Sequence, residues 1–163
     1  MALMGPFGFG NLGDAATQDA VIANLRARLP RVKLVGISMR PADTRWRHGL
    51  ETYCYDASAY LDLKRAHRHA RTDVVAADGA GSRAMPVPHR PQRQLHWRLQ
   101  RIATWASELE HAWYVFRALR HIDVLVASGS GQLDETWGGP WRHPLTLFKW
   151  ALLARLRRVR VAF

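Results

Sequence analysis

The sequence predicts an α/β domain, a Rossmann-like parallel sheet with crossover helices. Three observations predict it. Short apolar or β-branched runs alternate with longer helical ones along the chain. Glycine-rich stretches follow two of those apolar runs directly, at Gly8 to Gly13 and at Ser128 to Gly131. The length of 163 residues and a hydrophobic fraction of 48% suit one domain with a real core and exclude a disordered chain.

Ala2 to Met4 opens as a short strand, reaching at most to Phe7. Asp14 to Arg28 reads as a helix, rich in alanine, with Val21 and Leu25 one turn apart on one face. Pro30 closes it, because the residue before a proline avoids the α region. Val32 to Ser38 is a β-branched run and the second strand, and Pro41 to Arg47 is a polar turn. Leu50 to Tyr55 alternates as a third strand, and Ala57 to Ala70 is a helix. Thr72 to Ala77 fits a strand or a helix end equally.

Residues 78–93 combine glycines, prolines and arginines, the composition of a mobile loop. Gln94 to His121 is expected to be one long helix. Leu95, Leu99, Ile102, Ala106, Leu109, Trp113 and Phe116 mark its apolar stripe, with Trp97 and Trp105 off it. Ile122 to Ala127 is a buried strand by its apolar continuity. Pro144 to Arg158 is a helix with proline at its start, where the missing N–H costs nothing. Val159 to Phe163 begins one more strand. The expectation is a single Rossmann-like unit over 1–163 that reads as the first part of something longer.

Charge narrows the classes. Lys plus Arg number 24 against 13 Asp plus Glu, a net charge of +11 that invites a polyanion partner. Only Lys33, Lys64 and Lys149 are lysines, however, and the arginines are spread from Arg26 to Arg160 without a dense block. No basic-aromatic motif of the RNA- or DNA-binding kinds accompanies them, so no specific nucleic acid is expected, and a basic nucleic-acid-binding module stands as an alternative reading. The lone Cys54 excludes a disulfide framework and a cysteine zinc cluster, and no metal site is expected. With no long apolar span and no basic head followed by an apolar run, the chain is expected to be soluble and cytoplasmic.

The chemistry concentrates in two loops. Gly8-Phe9-Gly10-Asn11-Leu12-Gly13-Asp14 satisfies G-x-G-x-x-G between the first strand and first helix. Asp14 stands where it would cap that helix, placing like charge beside any phosphate seated there. No acidic residue ends the second strand to hold a ribose; Ser38 and Arg40 stand there, which leaves an NADP-binding module open as an alternative, alongside a plain capped turn. The second loop runs from Ser128 through Gly129, Ser130, Gly131, Gln132, Leu133, Asp134 and Glu135 to Trp137, Trp141 and His143. Tryptophan faces stack on sugar rings and amides or carboxylates bond hydroxyls, so this mixture suits a carbohydrate; packing of the loop by its tryptophans is the alternative. Both loops leave C-terminal ends of strands in one parallel sheet and so share an edge.

Together the two loops resemble the polysaccharide pyruvyl transferase family. The carrying residues are the G-x-G-N-x-G-D loop from Gly8 to Asp14 and the glycine-rich strand end followed by Gln132-Leu133-Asp134-Glu135. The most specific stretch is Gln132 to Trp150, and the likeness is thin between Leu61 and Arg93. The resemblance implies the N-terminal, acceptor-side half of a GT-B-like two-domain fold. It implies transfer of a pyruvyl group from phosphoenolpyruvate to hydroxyls of a polysaccharide or lipid-linked glycan, as in exopolysaccharide biosynthesis. No cofactor is implied beyond the donor, whose basic ligands the family places in a second domain absent here, so the fragment is expected to be inactive alone.

On that reading Asp14 and Asp134 are the candidate general bases, Asp14 favoured as open to the cleft, and His143 assists with protons or is structural. Gly10, Asn11, Gly13, Gly131, Gln132 and Glu135 bind the acceptor, with Asn11 and Gln132 orienting hydroxyls and Trp137 or Trp141 stacking on the ring. One departure stands out: Ser130 occupies a position where the family has glycine, and a φ above zero there would cost about 1 kcal/mol. The arginines and tryptophans of the 94–121 helix would also suit the surface of an anionic membrane; a core helix with a solvated back is the plainer reading.

Overall fold

The computed structural model describes residues 1–8, 12–73, 96–128 and 141–163, with the side chains of 69–73 and 96–103 left aside. Strand β1 (Ala2–Met4) leads to helix α1 (Leu12–Arg28), strand β2 (Val35–Ser38), helix α2 (Pro41–His48) and strand β3 (Glu51–Cys54). Helix α3 (Ala57–Asp73) follows, then α4 (His96–Ala118), a 3-10 turn (Leu119–His121), β4 (Val124–Ala127), α5 (His143–Leu156) and β5 (Arg160–Ala162). All five strands among the described residues are parallel, in the order β3-β2-β1-β4-β5, which is the Rossmann-like α/β arrangement expected.

Alternation along β1 divides the core in two. Ala2 and Met4 face one layer with Val35, Ile37 and Leu125, where Val115 and Ala118 of α4 and Trp150 and Ala154 of α5 cover them. Leu3 faces the other layer with Phe7, Leu34, Leu50 and Ile22 of α1. Helix α2 lies on this second face: a Cβ added to Gly36 would stand 2.9 Å from Cγ2 of Thr44. Only glycine lets α2 approach the sheet so closely.

Several boundaries differ from the sequence reading, each for a physical reason. The segment Pro41 to Arg47 is not a turn but helix α2. Pro41 starts it, Gly49 ends it in the left-handed conformation (φ 65°), and Gly49 N–H closes on the Arg45 carbonyl at 2.9 Å. The second strand starts at Val35 rather than Val32, since pairing with β1 begins at the Ala2–Val35 register. Asp56 caps α3, accepting from the Ala59 N–H at 2.8 Å, and that helix continues to Asp73, absorbing Thr72. The expected mobile loop at 78–93 lies outside the described residues, as do 74–77.

Helix α4 departs most. Leu109 and Trp113, assigned to its apolar stripe, are 70% and 58% exposed. Ala106 is exposed as well, and Phe116 is half-buried. The face turned to the sheet carries His111, Val115 and Ala118 instead. Trp150, Tyr55 and the ring of Tyr60 already fill that space, so only small or flat groups fit. Leu95 lies outside the described residues, as do the side chains of Leu99 and Ile102.

Candidate functional site

The site forms where β1 and β4 end side by side. Met4 pairs with Ile37 on one side and Ala127 on the other. Past that point the Gly5 N–H donates to the Ile37 carbonyl at 3.1 Å, while the Ser128 N–H donates to the Met4 carbonyl at 2.8 Å. Chain order reverses here, since β2 lies to one side of β1 and β4 to the other. This is the topological switch point where open α/β sheets place their ligands.

Glycines make the divergence physically possible. A Cβ on Gly5 would stand 2.4 Å from the Ser128 carbonyl oxygen and 2.4 Å from the Phe7 ring. Gly8 has φ +90°, and a Cβ there would fall 2.8 Å from Cβ of Arg40. The Met39 N–H donates to the Phe7 carbonyl at 3.2 Å, so the start of the first glycine loop is folded across the end of β2. Gly5 precedes the recognisable motif and escaped the sequence reading; its signal was a glycine immediately after a buried strand.

Helix α1 begins at Leu12, which makes Asp14 a first-turn residue inside the helix rather than its N-cap. Asp14 is also not open to solvent: it is 9% exposed. It shares a buried stripe with Gln18 and Ile22, one turn apart each, so the face of α1 that meets the sheet turns polar toward the switch point. Gly13 is exposed, and its carbonyl accepts from the Thr17 hydroxyl at 2.9 Å. Ser38, weighed as a cofactor contact, is fully buried, and its hydroxyl has no hydrogen-bond partner among the described residues, whereas Arg40 is exposed.

On the β4 side, Trp141 is 74% exposed just before α5. His143, the first residue of α5, is only 6% exposed. Its Nδ1 lies 3.4 Å from the Tyr55 hydroxyl. Burial holds its imidazole below the ordinary value, with Asp56 opposing and Arg142 reinforcing the effect, so it is neutral at pH 7. Burial likewise pushes the Tyr55 phenol far up, keeping its proton in place.

A network that the sequence reading did not foresee fixes this wall. The indole N–H of Trp150 donates to the Tyr55 carbonyl at 2.8 Å. His111 Nε2 lies 3.2 Å from the Cys54 carbonyl, and the Cys54 N–H donates to the Tyr114 hydroxyl at 3.1 Å. Burial, aided by Lys149, lowers His111 to about 4, and burial raises the Cys54 thiol to about 11. Helices α4 and α5 are thereby pinned to the end of β3 by polar atoms of aromatic side chains, contacts between residues too far apart in sequence for any motif to signal.

Of the sequence-predicted residues, Gly13 and Asp14 therefore stand at the start of α1, and Trp141 and His143 at the start of α5, on two loops from adjacent strands. Gly10, Asn11, Gly131, Gln132, Asp134, Glu135 and Trp137 lie outside the described residues, as does Ser130. Asp14 extends the stripe of the α1 layer, and His143 is held against Tyr55 of the α5 layer, so they stand on the two sides of the sheet. Among the described residues no group of three His, Cys, Asp or Glu side chains is placed to hold a metal ion. Among the same residues no helix is long and apolar enough to cross a membrane. No protein-family model matches the chain, and neither do the curated proteins or solved structures compared with it.

Proposed function

We propose that the chain is the acceptor-side unit of a polysaccharide pyruvyl transferase, which moves a pyruvyl group from phosphoenolpyruvate onto glycan hydroxyls. One observation carries the reading. The two loops that resemble that family leave neighbouring strands, β1 and β4, at the switch point of one parallel sheet.

In this reading Asp14 is the general base. The attacking hydroxyl loses a proton as its oxygen bonds to the pyruvyl carbon, and a carboxylate within hydrogen-bond reach takes it. The second hydroxyl completes the ketal. The donor methylene gains one proton to become methyl, and the other leaves with phosphate. Asp134 is the alternative base. Asn11 and Gln132 orient the hydroxyls, and Trp141 with Trp137 offers stacking faces. His143, buried and held by Tyr55, supports the wall of the crevice in this reading.

The test uses the full reading frame that encodes this chain, with phosphoenolpyruvate as donor and ketal formation followed by the new methyl resonance on the glycan. Asp14→Asn is expected to lower kcat by about 10²–10⁴-fold. Trp141→Ala is expected to raise KM for the glycan about tenfold with little change in kcat. Undiminished transfer by Asp14→Asn removes Asp14 from the base role, and absence of any transfer by the parent protein removes the proposal.

A further inference from the structure

Helix α4 carries Trp105, Leu109 and Trp113 on the side away from the sheet, at successive four-residue steps, all of them exposed. Helix α5 does the same with Phe148, Leu152 and Leu156. The core residues of α5, Trp150 and Ala154, sit on the opposite side of that helix. The two helices lie next to one another over the same face of the sheet. Lys149 of α5 reaches Glu108 of α4 at 2.6 Å, and the Arg157 guanidinium stands 3.7 Å from the centroid of the Phe116 ring. The outward rows thus stand on neighbouring helices, and Phe148 and Leu152 also line a groove of about 560 Å³ with Val161 and Phe163, more exposed apolar surface than scattered residues would make.

Charge decides what fits against it. The only acids of α4 are Glu108 and Glu110, and both are engaged, by Lys149 of α5 and Lys64 of α3. From Thr136 to Phe163 the chain has arginines and a lysine but no Asp or Glu. Arg117, Arg120 and Arg155 are exposed and make no ion pair among the described residues. At the C-terminal ends of α4 and α5 a cleft of about 490 Å³ is lined by Arg120, Arg157, Arg158 and Arg160, with Asp123 its one acid.

We infer that the α4–α5 face docks on an anionic lipid bilayer. Tryptophans and leucines enter the headgroup boundary, and the arginine cleft at the helix ends takes lipid phosphates. A second copy of the chain fits this face less well. A two-fold contact would bring Arg117 and Arg155 toward their counterparts with no carboxylate left to pair. The switch-point edge, at the other end of these helices, stays open. The inference rests on α4 and α5 and is independent of the transfer reading.

The test is flotation of the protein with vesicles of phosphatidylglycerol and phosphatidylcholine, against phosphatidylcholine alone. Binding to the anionic vesicles only, with a blue shift of tryptophan emission, is expected. Leu109→Ser with Trp113→Ser should abolish the shift and most of the binding. Arg120→Ala with Arg155→Ala should weaken binding about fivefold per arginine. All four positions are exposed, and thermal unfolding by circular dichroism checks that each variant folds as the parent does. Protein left unbound in the anionic sample overturns the inference. Binding that the Leu109–Trp113 variant retains reduces it to polycation adsorption and also overturns it. A parent dimer in analytical ultracentrifugation that becomes monomeric in that variant assigns the face to self-association instead.

Discussion

Helix α1 turns Asp14, Gln18 and Ile22 toward the sheet and leaves Ala16, Ala20 and Ala23 in solvent, whereas α4 turns Trp105, Leu109 and Trp113 outward and buries His111. Both reverse the ordinary amphipathic rule, in opposite senses. At α1 the reversal is graded: the buried stripe is apolar at Ile22 and becomes polar only where it reaches the switch point. At α4 it runs along the described helix, and the buried imidazole is held by a backbone carbonyl at the end of β3. The contrast teaches that a polar residue on a packed face marks either a site or a clasp. What the polar atoms touch separates the two.

The largest effect that sharpens this contrast belongs to the clasp. Trp150→Ala removes a fully buried indole and its hydrogen bond to Tyr55, and should cost about 3–5 kcal/mol in urea unfolding. If the loss is under about 1 kcal/mol, α5 is not pinned as described.

Next comes pH. Unfolded His111 titrates near 6.5 and folded His111 near 4, so between those values the unfolded chain binds more protons. Stability therefore rises with pH through that window and is lost on acidification, on the order of 2–3 kcal/mol. Urea midpoints at pH 7 and pH 4 should show the loss, and His111→Phe should flatten the difference.

A smaller effect of opposite sign belongs to α1. Gln18 Nε2 is buried without a hydrogen-bond partner among the described residues, so Gln18→Met should stabilise the fold by about 1 kcal/mol. A loss of stability instead would mean that the amide is a structural contact and that the polar stripe serves the fold. Smallest of all, Leu109→Ser should change stability by less than about 0.5 kcal/mol, as befits an outward side chain.

How much of this was legible in the sequence follows from the kind of signal each feature leaves. The strands were readable because Val35 to Ser38 and Val124 to Ala127 are continuous apolar runs, and a parallel sheet buries both faces. Helix α2 was missed because it has no apolar stripe; its evidence was the pair of end signals, Pro41 and Gly49, outweighed by the charges between them. The facing of α4 was not legible at all. Periodicity reports that a helix has a stripe but not whether the sheet has room for it, and Trp150 had taken that room.

For the site, glycine spacing and strand ends located Asp14 and His143 at a shared edge. That Asp14 lies inside the helix and His143 leans on Tyr55 depended on contacts across the sheet, which no local pattern carries.

The sole cysteine has a practical consequence. Cys54 is fully buried at the end of β3, its thiol raised to about 11, so the nucleophilic thiolate is scarce at neutral pH. The chain is thus silent toward maleimides in its folded state without any prior removal of cysteine. A single new cysteine at exposed Thr104 or Ala106 on α4, or at Ala16 on α1, would carry a fluorophore or spin label alone. Probes on the two helices can then report their surroundings separately in the otherwise unaltered protein.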